Sequence, residues 1–70
     1  MIEVGDTVVT RLIEGKHCRS KSFVRLYNDM TGRVIGRTFM PHLGYFTYLV
    51  ETSWTDDALF FTEDELKVVK

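Results

Sequence analysis

Apolar and polar residues alternate with a period of two over several short runs of this chain, and turn-forming residues separate the runs. That period is the signature of half-buried strands. Residues 7–13, TVVTRLI, are rich in β-branched side chains, and alternation puts Val8, Thr10 and Leu12 on an inner face and Thr7, Val9 and Arg11 on an outer one. Residues 31–37 predict a second strand in which Val34 points to one face while Arg33, Ile35 and Arg37 share the other. Gly32 and Gly36 flank its centre, and a glycine within a strand marks a bulge or sharp bend. Residues 38–44 read as a loop, because Pro41 cannot donate to a strand ladder.

Residues 45–52 predict a third strand, with Phe46, Tyr48 and Val50 on one face and Tyr45, Thr47, Leu49 and Glu51 on the other. Both faces carry large apolar groups, so this strand is expected to be central or covered on both sides. Residues 53–57, SWTDD, read as a turn, and 58–61 as a short fourth strand. Thr62 and Glu65 have the spacing of a capping box, which predicts one 3₁₀ turn that drops Leu66 into the core before a last strand at 67–70. Residues 14–30, EGKHCRSKSFVRLYNDM, show no clear period. They predict a long ordered loop with a short strand or a single helical turn near 22–27, closed by a turn at Asn28-Asp29.

Length changes this picture little: 70 residues make one domain. A chain so short buries only about 60% of its unfolded surface. Nine aromatic residues within a 44% apolar composition supply a small core with large pieces, which excludes disorder as the main state. Charge adds more. The net charge is −1, yet residues 1–37 hold seven Lys or Arg against four acids, and residues 38–70 hold two against six. The chain is therefore expected either to present a basic and an acidic face or to mix the two signs on folding. Cys18 has no second cysteine to pair with, which points to a reducing, cytoplasmic setting. The N-terminus lacks the pattern of a signal peptide, and no run approaches a membrane span.

Candidate chemistry is sparse. His17, Cys18 and His42 are the only His and Cys residues, and adjacent His17-Cys18 is not a chelating pattern, so neither a metal site nor a cofactor is expected. The acids at 56–57 and 63–65 read as turn and cap residues rather than as catalytic pairs, and no enzyme activity is expected. Two binding constellations remain. One is a basic series, Arg11, Lys16, Arg19, Lys21, Arg25, Arg33 and Arg37, interleaved with aromatics as in barrels that hold nucleic acid. The other is a set of apolar anchors for a protein partner, Trp54, Phe39, Met40, Tyr45 and Phe23.

The segments VGDTVV, TGRVIG, TYLVE and FTEDELKVV together resemble small bacterial and bacteriophage proteins of the Src-homology-3-like barrel class, with an outline shared by KOW-type and Tudor-type barrels. Thr52 departs from that pattern, standing where an aromatic is usual. The resemblance implies an all-β, five-stranded small barrel with one 3₁₀ turn before the last strand. It also implies a non-enzymatic protein-interaction module, an accessory protein that binds and modulates a larger host protein, with specificity in the 14–30 and 38–44 segments. A nucleic-acid-binding barrel is the alternative. A Tudor-type cage would draw on Phe39, Tyr45, Trp54 and Phe60, and an exposed edge strand would invite pairing between copies.

Overall fold

The structure, a computed structural model, describes residues 2–52 and 58–69. It is mostly antiparallel sheet. Five strands, β1 (Thr7–Thr10), β2 (Thr31–Met40), β3 (Tyr45–Thr52), β4 (Ala58–Thr62) and β5 (Leu66–Val68), pair in the order β4-β3-β2-β1-β5. A 3₁₀ turn, Glu63–Glu65, joins β4 to β5, as the capping box predicts, and the Glu65 carboxylate accepts the Thr62 amide at 3.0 Å. The predicted turn at residues 53–57, with Trp54, lies outside the described residues.

The alternation reading of the core holds. Val8, Thr10 and Leu12, then Val34, then Tyr48 and Val50, are all buried, and Phe61 and Leu66 complete the cluster. Gly32 is buried between β1 and β3, where an added Cβ would come within 2.8 Å of the Glu51 carbonyl and 2.6 Å of Val50. Only a residue without a side chain permits that approach.

Segment 14–30 is more ordered than a loop. It forms a 3₁₀ turn (Lys16–Cys18) and a helix, α1 (Lys21–Tyr27), capped by the Ser20 hydroxyl, which accepts the Phe23 amide at 3.1 Å. Phe23, Val24 and Tyr27 fall on one helical face and pack against the core. The segment is tied back to β1. The buried Thr10 hydroxyl donates to the Tyr27 carbonyl and accepts the Met30 amide at 2.8 Å, and the Asn28 side chain accepts the Leu12 amide at 2.8 Å.

Besides the last strand, which spans Leu66–Val68 where the sequence predicts 67–70, two strand boundaries need correction. β2 does not stop at Arg37 but runs to Met40, so the predicted 38–44 loop is only the turn at 41–44. Pro41 marks the first residue past the ladder rather than the middle of a loop. Strand β1 ends at Thr10, although Leu12 still turns inward.

A further correction concerns faces. The register of β2 on β3 shifts between Val34 and Gly36, leaving Ile35 as an extra residue. One inserted residue reverses the alternation beyond it. Arg33 pairs with Glu51 but Arg37 pairs with Tyr48, so the two arginines lie on opposite faces instead of sharing one.

Candidate protein-interaction surface

The strands are unequal in length, and this builds the site. β2 has 10 residues and β3 has 8, against 4, 5 and 3 for β1, β4 and β5. β1 pairs with β2 only at Thr31, Gly32 and Arg33, and β4 pairs with β3 only from Thr47 to Glu51. The far end of the β2–β3 hairpin therefore overhangs its neighbours. Its side chains keep the strand alternation and stay largely exposed, although on one face the His17 ring meets Tyr45 edge-on at 6.1 Å.

On one face of the overhang stand Arg37, Phe39 and Phe46. Phe39 and Phe46 are cross-strand partners with ring centroids 5.2 Å apart and planes at 68°, and the Arg37 guanidinium lies 4.8 Å over the Phe46 ring. Phe39 is 49% exposed and Phe46 38%. An edge-to-face ring pair with a stacked cation is a stiff apolar platform.

On the other face Met40 pairs with Tyr45 and Thr38 with Thr47. Leu43 from the turn and Phe60 from β4 extend this face. Two hollows adjoin here, one of about 320 Å³ bounded by Leu43, Tyr45, His17 and Arg19, the other of about 210 Å³ bounded by Thr38 and Met40. Thr47 and Phe60 line both hollows, which therefore lie side by side.

Of the expected protein anchors, the structure brings Phe39, Met40 and Tyr45 to the hairpin overhang, Phe39 on one face and the other two on the opposite face. Phe23 is not an exposed anchor. It is half-buried, with its ring 4.6 Å from Tyr27 and 6.3 Å from Phe61. Phe60, which the sequence places only in a Tudor-type cage, and Leu43, which it places only within the 38–44 segment, are exposed here too, and Phe46 is not among the residues expected. Phe46 alternates with Tyr48 and Val50 and so reads as core. The length mismatch that exposes it appears only once the strands pair.

The basic series is dispersed. Arg19 is clasped by the buried Glu65: its Nε donates to Oε2 at 2.8 Å and its Nη2 to Oε1 at 2.9 Å. The same Nη2 donates to the Phe60 carbonyl at 2.8 Å, and the guanidinium stacks on Phe23 and Phe61 at 4.6 and 5.1 Å. Burial pushes the Glu65 carboxyl up, but the Arg19 hydrogen bonds and the Thr62 amide outweigh it and hold the group below its usual range. Lys16 reaches Asp64 at 2.8 Å, His17 Nε2 lies 3.1 and 3.2 Å from the two Asp64 oxygens, and the Thr62 hydroxyl donates to Asp64. Lys16 above all, then Thr62 and His17, hold the Asp64 carboxyl well below the ordinary aspartate value. Asp64 in turn raises the Lys16 ammonium.

Arg11 meets Asp29 at 3.8 Å, Arg33 lies across from Glu51, and Lys21 and Arg25 are exposed on α1. Lys16, His17 and Arg19 of the 14–30 segment thus meet Asp64 and Glu65 of the acidic turn, so opposite charges from the two halves of the chain come together there.

Cys18 is exposed. Among the described residues no three His, Cys, Asp or Glu side chains converge as a metal cluster would, and no helix is long and apolar enough to cross a membrane. No family model matches the chain, and no curated protein or solved structure matches it.

Proposed function

We propose that the chain is a Src-homology-3-like barrel acting as a non-enzymatic protein-interaction module. In this reading it is a small accessory protein, bacterial or phage-encoded, that binds and modulates a larger partner. The strand order β4-β3-β2-β1-β5 and the 3₁₀ turn between β4 and β5 support the barrel reading. The observation that carries the function is the hairpin overhang, where Phe39 and Phe46 are exposed on one face and Leu43, Tyr45 and Phe60 on the other. Exposed aromatic groups beside an arginine are among the residues that dominate binding energy in protein interfaces.

The nucleic-acid alternative is disfavoured by the same structure. Lys16 and Arg19 are engaged by acids, and Arg33 and Arg37 project from opposite faces.

The test is affinity capture from lysate of the source cell with the wild-type chain and with Phe39→Ser/Phe46→Ser and Tyr45→Ser/Phe60→Ser. A captured protein should be lost with at least one aromatic pair and kept with Arg33→Ala/Lys21→Ala. Capture that survives both aromatic variants overturns the reading. Oligonucleotide binding that weakens steeply with salt and is lost with Arg33→Ala/Lys21→Ala would install the nucleic-acid reading in its place.

A further inference from the structure

Among the described residues the outer sides of β4 and β5 and part of one side of β2 lack a neighbouring strand, and these edges are not equally protected. β5 is three residues long and carries an exposed lysine, Lys67. β4 has the Arg19 guanidinium bonded to its Phe60 carbonyl. Short length, an edge lysine and a side chain laid over the edge are all devices that keep strands from pairing between molecules.

The third edge is the side of β2 opposite β3. Among the described residues β1 covers it only at 31–33, and the Val34 amide and carbonyl bond to Asp6 and Gly5. From Gly36 to Met40 the strand pairs with β3 alone. This stretch, GRTFM, contains no acid, no lysine and no proline, and Arg37, Thr38 and Phe39 are all exposed. The bulge at Ile35 and Pro41 delimit it at either end.

We infer that the Gly36–Met40 edge pairs antiparallel with the same edge of a second copy, in the register centred on Thr38. This goes beyond the proposed function and does not depend on it. The occupant follows from self-complementarity. In that register Thr38 faces Thr38 of the second copy, and Arg37 faces Phe39 across the twofold axis in both directions. No like charges face each other directly, and the two Arg37 side chains are diagonal neighbours, each set against a Phe39 ring. The Arg37–Phe39 contact across the axis is of the same kind as one within the chain, where Arg37, paired with Tyr48, stacks on its diagonal neighbour Phe46. Two hairpins then share one sheet, and the two Phe39–Phe46 platforms join into a single apolar strip. Five residues a side make a small interface, so the dimer is weak and reversible.

Sedimentation velocity of the intact chain over a range from about 10 µM to about 1 mM should show a concentration-dependent monomer–dimer equilibrium. Amide exchange at 36–40 should slow as concentration rises. Phe39→Lys sets a lysine against Arg37 of the other copy and should weaken association at least about tenfold. Adding Arg37→Glu to it places opposite charges across the axis and should restore the dimer. Because these side chains are exposed, a matching far-UV spectrum and melting transition identify variants that still fold. A chain that is strictly monomeric at about 1 mM overturns the inference and leaves the edge to an extended segment of another protein. A dimer indifferent to Phe39→Lys, or not rescued by the double variant, overturns the assigned edge and register.

Discussion

Two regions of this small molecule use the same kinds of residue for opposite ends. In the clasp, Arg19 lies between the Phe23 and Phe61 rings and the Glu65 carboxylate, and all four groups are at least half-buried. On the hairpin overhang, Arg37 lies over Phe46 beside Phe39, and all three are exposed. One cation–aromatic cluster has a carboxylate inside it and a helix over it; the other has neither. The difference teaches where function is to be sought. A charge that has found its counter-charge within the fold is a structural part, whatever its sign suggests in the sequence. A ring with no covering layer is available to a partner, however well it fits a strand pattern.

Breaking the clasp should have the largest effect. Arg19→Ala leaves Glu65, whose side chain is 3% exposed, as an uncompensated buried carboxylate. Removing one partner of such a pair costs about 3 kcal/mol or more. A domain of this size holds roughly 4–10 kcal/mol in total. The melting midpoint should therefore fall by about 12 °C or more, read by circular dichroism. Arg19→Met/Glu65→Leu removes both charges together and should recover most of the loss. If Arg19→Ala melts with the wild type, the clasp is ornamental and the contrast with the overhang disappears.

The overhang should behave in the opposite way. Phe46→Ser forfeits the ring contact with Phe39 and the Arg37 stacking, both at an exposed site, which together amount to about 1 kcal/mol. Urea denaturation should show this modest loss with an unchanged slope. A loss as large as that of Arg19→Ala would mean that Phe46 belongs to the core after all, and the surface would shrink to the opposite face of the hairpin.

Much of the fold is legible in the sequence because burial in a small sheet follows a period of two. Val8, Thr10, Leu12, Tyr48 and Val50 fall inside on alternation alone, and the Thr62–Glu65 spacing marks the turn that delivers Leu66. The failures have one physical character. A bulge is a single inserted residue, and nothing about Ile35 between Val34 and Gly36 fixes which position is inserted, so the face of Arg37 is lost with it. Strand ends are likewise set by pairing partners distant in sequence. Phe46 reads as core because its own strand places it there, and it is left exposed where the hairpin runs past the short strands β1 and β4. In segment 14–30 the spacing of Phe23, Val24 and Tyr27 and the cap at Ser20 were present, but seven helical residues are too few to raise a period above the noise. The ion pairs to Asp64 and Glu65 span more than forty positions and leave no local trace.

The smallest effect concerns Asp64 and tests whether the rim of the clasp acts with its centre. Its carboxyl is held below the ordinary value by Lys16, Thr62 and His17, so its ionised form is preferred in the folded state. The sign then follows. A carboxyl with a depressed folded pKa contributes stability above its unfolded value, near 4, and loses that contribution as pH falls toward the folded one. Asp64 is 45% exposed, and Lys16 51%, so solvent screening reduces the contribution to under about 1 kcal/mol. Asp64→Asn should accordingly lower the melting midpoint slightly at neutral pH, and the gap from wild type should narrow between about pH 4 and pH 2. Added salt should narrow it at neutral pH as well, because the pair is at the surface. Arg19→Ala should respond to salt far less, since its partner carboxylate is buried. A salt-insensitive Asp64→Asn defect as large as that of Arg19→Ala would make 63–65 and 16–19 one cooperative charged unit, not a buried clasp with a screened rim.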